Sequence, residues 1–527
     1  MSLISEAFLL FSFLLIVIYF ILPGKYQWIS LLVFSLFFYL SSGAKNIVFI
    51  LTTAFSAYVC ARVIDRIHKE TKAYIKENKK ILPKEERKAY KEKKNNLCKA
   101  IMIVTLLLNI GFLCVFKYSD FVLGQLNAIL PESNLPDSLG LIIPLGISFY
   151  TFQTIGYVVD VYWEKVDAQR NFAKLLLFVS FFPQVTQGPI SEYNQLASQL
   201  YTPHRFSYKN FSYGVQRMMW GFFKKMVIAD RAAPLVQTAF MEYASMNGNN
   251  VLLSAFLYSL QIYADFSGYM DIVCGLCEIL GIRLTENFQR PYFSKSVAEY
   301  WRRWHSSLGA WFKTYIYYPV AVSKFAKKCT AHGTKAFGQT FGRTIGASIA
   351  LVVTWFTTGF WHGASWAYIA WGGLNGLFII FALWMEPVFE KIKKALKVNE
   401  KTFAWRAFVT LRTFFVVTLI KVFPEVGTFS DGVAYWKHCF TNWNLSSLEL
   451  SSILYPLTSK EDAIILVLGA LIIFVVSLMQ RSMGVRDRLA KWSAVAKYII
   501  FAVMFLVIIL YGVPTQNAGG GFMYAQF

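Results

Sequence analysis

Thr357-Thr358-Gly359-Phe360-Trp361-His362-Gly363-Ala364-Ser365-Trp366 stands between two apolar runs, 344–361 and 365–385. Together these runs are too long for one pass through a bilayer core, so the chain is expected to break near Gly359 or Gly363. An imidazole at that depth is costly to charge, stays neutral and suits a general base. The same window also reads as a histidine hydrogen-bonded to a neighbouring helix, with Gly359 and Gly363 as a small-residue packing pair. The residues alone leave both readings open.

The rest of the chain has the same solvent. Of 527 residues, 56% are hydrophobic and only 16% charged, which excludes a soluble globular protein. The net charge of +22 would suggest nucleic acid in a soluble chain. Here the excess of Lys and Arg that cytoplasmic loops of membrane proteins collect explains it, and no nucleic-acid partner is expected. Of the seven cysteines, Cys60, Cys114, Cys274 and Cys277 lie inside apolar runs, so no disulfide framework is expected. Cys274 and Cys277 share a helix face, but no second ligand pair stands nearby for a metal, and helix packing is the better reading.

Apolar segments recur near 7–22, 27–43, 46–61, 100–117, 139–159, 172–185, 211–229, 251–280, 344–361, 365–385, 404–423, 462–479 and 496–512. The first has no small-residue cleavage site after it and reads as a spanning helix rather than a signal peptide. Residues 62–99 form the one long soluble stretch, rich in Lys79, Lys80, Arg87, Lys88, Lys93 and Lys94. It is expected to be a cytoplasmic loop, and three spans before it place the N-terminus outside the cytoplasm. Several segments are too short or too polar for simple spans, so re-entrant pieces are expected near 211–229 and 300–320.

His305 lies in Trp301-Arg302-Arg303-Trp304-His305-Ser306-Ser307-Leu308. As a helix, this stretch would put Trp301, Trp304, His305 and Leu308 on one face, with Arg302 and Arg303 turned partly away. Guanidinium groups there could hold the phosphates of a nucleotide-bearing donor; the alternative is an interfacial helix with snorkelling arginines. Asp265 and Asp271 fall within an apolar segment, where each needs a partner. Lys224, Lys225, Asp230, Arg231, Arg283 and Arg290 are the nearby groups, and a network that fixes helix packing is the plainer role. The chain has no Walker-type phosphate loop, HExxH helix or GxSxG elbow.

Taken in order, these segments resemble the membrane-bound O-acyltransferase family, in particular its bacterial alginate O-acetyltransferase-like branch and, more distantly, the teichoic acid D-alanyl transferases. The resemblance runs through Phe182-Pro183-Gln184, Gln187-Gly188-Pro189, Trp220-Gly221-Phe222-Phe223-Lys224-Lys225, Ala229-Asp230-Arg231 and Gln261-Ile262-Tyr263. It continues through Asp265-Phe266-Ser267-Gly268-Tyr269, Glu286-Asn287-Phe288, Pro291-Tyr292, Trp301 to His305, Phe360 to Ala364, and the aromatic ending 521–527. It implies an all-α, polytopic integral membrane protein of about eleven to thirteen helices, with re-entrant segments around a central tunnel, in a single domain over 1–527. It also implies His362 as the catalytic histidine and His305 as the second motif histidine. Arg302, Arg303, Trp304, Lys313, Asp265 and Trp361 are the candidates for binding donor or substrate.

The activity so implied is transfer of an acyl group, expected to be acetyl, from a cytoplasmic thioester to an exported polysaccharide. The expected donor is acetyl-CoA or a carrier-protein thioester, acting as co-substrate. The expected partner is a separate extracytoplasmic acyltransferase, and the expected place is a bacterial cytoplasmic membrane. One stretch departs from the branch: Phe312-Lys313-Thr314-Tyr315-Ile316-Tyr317-Tyr318-Pro319-Val320 replaces the usual Arg-Asp-Tyr and Pro-Leu-Gly-Gly pieces. That puts donor or acceptor identity in question more than the reaction. The rivals are a D-alanyl transferase fed by a carrier protein, a proton-coupled transporter using Asp265, Asp271 and the histidines, and a non-catalytic scaffold.

Overall fold

A computed structural model describes residues 1–130, 135–444, 459–481 and 483–513. The aromatic ending at 521–527 lies outside the described residues. Among those described, the chain is helical with no strand, apart from one isolated bridge between Phe288 and Trp304. Among the described residues, seven helices are long and apolar enough to cross a membrane: Ala44–Glu77, Lys84–Ile129, Lys324–His362, Trp366–Ala395, Phe403–Lys421, Lys460–Met479 and Ala494–Tyr511. Glu6–Ile21 is a shorter apolar helix. Phe13, Leu107, Phe356 and Leu471 are all more than half exposed, a surface that suits lipid and not water. The protein is an all-α, multi-pass membrane protein.

The helices gather into two compact units, Met1–Ser212 with Leu276–Thr285, and Tyr213–Gly275 with the described residues from Glu286 onward. In the first unit, Ser5 accepts a hydrogen bond from the Phe8 amide and starts Glu6–Ile21. Phe11, Phe38 and Phe182 then lock three helices together, with Phe182 edge-on to Phe11 at 5.1 Å.

The stretch 62–99 is not the loop its charge suggests. It is the continuation of Ile47–Glu77 and the start of Lys84–Ile129, with only a short turn between them. Lys, Glu and Ala are strong helix formers, so the polar residues extend both helices instead of ending them. Forty-six helical residues span about 69 Å, well over the roughly 30 Å of a hydrocarbon core, so the hairpin projects beyond it.

Both places where re-entrant segments were expected are irregular helix. A π-helical turn runs over Phe223–Ala229 after Tyr208–Phe222, and another over Lys313–Tyr317 after Ser306–Phe312. In the second unit, Phe223, Val227, Ile228 and Leu235 pack with Ala264 and Leu466 into one buried cluster. The long helix Lys324–His362 kinks at Gly338, whose φ of +84° suits glycine, so the apolar run 344–361 forms its own straight segment.

Candidate active site

The break predicted beside His362 falls at Gly363. Lys324–His362 ends there, Gly363 is extended, and Ser365 caps Trp366–Ala395 by accepting from the Tyr368 amide. The two helices cross through Gly359 and Gly372. A Cβ on Gly359 would lie 2.5 Å from the Tyr368 carbonyl oxygen and 3.2 Å from the Ile369 Cα, so no side chain fits without moving a backbone. Gly359→Ala is expected to cost about 1–3 kcal/mol of stability by overpacking and to displace His362, three residues on. Thermal unfolding in detergent would measure it.

His362 is 5% exposed. Its Nδ1 lies 2.8 Å from the Thr358 carbonyl oxygen, which can only accept, so Nδ1 carries the proton and the lone pair is on Nε2. Two indoles flank the ring, Trp361 edge-on and Trp371 tilted, each 4.7 Å between centroids. Trp371 in turn meets Trp301 at 5.4 Å, and the Trp301 Nε1 donates to Asn375 Oδ1 at 2.9 Å.

His305 does not sit on a continuous helix. Val297–Arg303 ends, Trp304 is extended, and His305 takes a left-handed conformation (φ 46°, ψ 50°) before Ser306–Phe312 begins. The shared face of Trp301, Trp304, His305 and Leu308 therefore does not form. A left-handed non-glycine residue costs about 1–3 kcal/mol and persists only where its surroundings over-determine it. Here the bend is held by Asn287, whose carbonyl accepts from the Ser306 amide and whose Oδ1 accepts from the Ser307 amide at 2.9 Å. His305 is 1% exposed, and its ring meets Phe266 edge-on at 4.9 Å. A series of ring contacts runs from His362 through Trp371, Trp301 and Tyr300 to Trp304, the residue before His305, so the fold places both buried histidines in one aromatic region.

The other candidates scatter. Trp361 flanks His362, and Trp304 is buried against Tyr300, Phe288 and Tyr292. Arg302 and Lys313 are exposed, and Arg303 pairs with Glu299 at 2.5 Å on its own helix. Asp265 accepts from Lys225 at 2.7 Å, and Lys225 also pairs with Asp230 at 2.6 Å. Asp271 is held by Lys224 at 2.6 Å and Arg217 at 2.9 Å, and Arg217 reaches on to Glu286. Both acids have the partners their burial demanded. Gly221 against Gly268 lets the helices approach closely enough for these bridges to form.

The Arg217, Lys224, Asp271 and Glu286 cluster lines a cavity of about 620 Å³ whose other wall is apolar, from Ile472, Val476, Val503 and Val507. Neither histidine lines it, and Asn287 is shared between the cavity and the His305 bend.

Sequence reasoning missed Arg217, which looks like one more base on an amphipathic helix, and Lys421. The Lys421 ammonium lies 4.2 Å from the centre of the Trp304 ring, 4.6 Å from Tyr292 and 5.1 Å from Tyr300, and donates to the Tyr292 hydroxyl at 2.8 Å. Among the described residues no carboxylate pairs with it; nearby Glu425 accepts from Tyr258 instead. The available signal was a lysine closing the apolar run 404–423. Ring faces offset only part of the cost of burying an ammonium without an acid, so Lys421→Met should be at least as stable as the parent. Melting curves of the parent and the variant in detergent would check it.

Comparison with known proteins bears on this site. The model of the membrane-bound O-acyltransferase family matches residues 167–420. The chain is 31% identical to the "probable alginate O-acetylase AlgI" of Pseudomonas syringae pv. tomato over 377 residues, 71% of this chain and 66% of that one. It is 32% identical to a peptidoglycan O-acetyltransferase of Helicobacter pylori over 302 residues, 52% of this chain and 54% of that one. It is 26% identical to a teichoic acid D-alanyltransferase of Streptococcus thermophilus over 319 residues, 58% of this chain and 74% of that one. The match thus spans just under two thirds of the first relative and about half of the second.

Proposed function

Because the chain belongs to the membrane-bound O-acyltransferase family over residues 167–420, we propose that it is an O-acyltransferase moving an acetyl group from a cytoplasmic thioester, acetyl-CoA, towards an exported or envelope polysaccharide. The observation that carries the reading is the buried His362, whose Nδ1–H is bound to the Thr358 carbonyl so that the lone pair is on Nε2, with His305 buried in the same aromatic region.

On this reading Nε2 of His362 takes the proton of the acceptor hydroxyl as that oxygen bonds to the thioester carbonyl carbon. The tetrahedral intermediate collapses, the C–S bond breaks, and the imidazolium returns its proton to the leaving sulfur. Well-placed general base catalysis of this kind contributes about 100- to 10,000-fold. His305 donates an N–H to the developing oxyanion. The indoles of Trp361, Trp371 and Trp301 keep bulk water from the thioester. Exposed Arg302 and Lys313 suit the donor's phosphates, Arg303 being shared with Glu299. Asp265, engaged by Lys225, reads as structural.

The proposed setting is a bacterial cytoplasmic membrane, with the 62–99 hairpin cytoplasmic, the N-terminus outside, and a separate extracytoplasmic transferase receiving the acetyl group. The test is purified protein with radiolabelled acetyl-CoA, following CoA release and label on the co-expressed partner, with carrier-bound D-alanine as a parallel donor. CoA release by the parent and not by His362→Ala supports the proposal. Turnover of the carrier donor alone would replace it with D-alanyl transfer.

A further inference from the structure

The helical hairpin carries charge in an arrangement that the acyl-transfer reading does not use. Along Ile47–Glu77 and the turn after it, Lys72, Lys76 and Lys79 recur every three or four residues and share one face. Along Lys84–Ile129, Arg87, Lys91 and Lys94 do the same. These two faces line one open groove of about 360 Å³, while the Tyr74 and Tyr90 rings hold the two helices together at 4.4 Å. Lysines placed at random on a solvated hairpin would diverge into water; here six cations converge on one hollow.

Among the described residues one acid lines the groove, Glu164, and it is bound to Lys72. That hydrogen bond holds the Glu164 carboxyl below the usual range, so it is ionised at neutral pH and neutralises a single cation. Arg87, half-buried, adds a guanidinium to the ammonium groups that line the hollow. Like charges gathered in this way repel one another, and a bound polyanion would relieve that repulsion.

We propose that this groove is a binding site for a phosphate-bearing polyanion. An arginine fork among several ammonium groups matches phosphate oxygens in charge and geometry. The hollow has room for about ten water volumes, the size of a diphosphate or a lipid headgroup. His68, which lines the groove, lies about 32 Å along the helix from Ile47, about the thickness of a bilayer core. Two sources therefore share this chemistry: the headgroup of an anionic phospholipid, and the phosphates of a free nucleotide such as the thioester donor. The site stands whether or not the acyl-transfer reading does, because binding and not turnover reports it.

The test uses the full chain in phosphatidylcholine nanodiscs. One arm measures retention of doped phosphatidylglycerol by mass spectrometry, and the other measures equilibrium binding of radiolabelled pyrophosphate and of CoA. The groove variant is Arg87→Gln with Lys91→Gln. The control is Lys80→Gln with Lys88→Gln, an equal charge loss at exposed positions outside the groove. The groove variant should weaken one probe at least tenfold and the control less than twofold. Which probe responds identifies the source. Equal loss in both variants, or no saturable binding of any probe by the parent, overturns the proposal.

Discussion

His362→Asn should reduce acetyl transfer by about 100- to 10,000-fold while the protein folds and melts as the parent does. The asparagine amide can donate to the Thr358 carbonyl as Nδ1–H does, at the end of the same helix and between the same two indoles. What it lacks is a basic nitrogen where Nε2 stood. His362→Ala removes both the base and the anchor and leaves a void beside Trp371, so its loss mixes chemistry with packing. The asparagine variant separates them: near-normal turnover would make His362 a packing residue and sink the general-base role. His305→Ala should cost less, about 100- to 1,000-fold, as befits a single oxyanion donor. Steady-state CoA release across the three variants, with melting curves alongside, decides the assignment.

How far the sequence could be read differs from element to element, for physical reasons. The spans were legible because an apolar run near twenty residues has few other stable fates. The break at Gly363 was legible because two such runs meet there with glycines between them. The break at His305 was not. Trp301 to His305 contains no glycine or proline, and the left-handed turn is imposed by Asn287, which is distant in sequence. The hairpin was misread as a loop because hydropathy reports solvent and not backbone conformation, whereas helix propensity favours Lys and Glu. The need of Asp265 and Asp271 for partners was legible from burial alone. Arg217 and Lys421 were hidden because a base near a helix end is ordinarily a snorkelling side chain.

Lys225→Met should destabilise the protein by about 3–5 kcal/mol, the largest stability loss expected of any single change discussed. Lys225, Asp230 and Asp265 are each 2–3% exposed, and the one ammonium bridges both carboxylates. Removing it leaves two acids facing each other away from water, each without its main counter-charge. Adding Asp230→Asn and Asp265→Leu to that variant should restore most of the loss, since a buried ion cluster replaced as a whole by neutral groups is often neutral or better. The triple variant also separates the acyltransferase reading from proton-coupled transport. If Asp265 only fixes the crossing of two helices, the triple variant recovers both its melting temperature and its acetyl transfer. If Asp265 carries protons, stability returns and activity does not, because a coupling site needs the carboxylate itself.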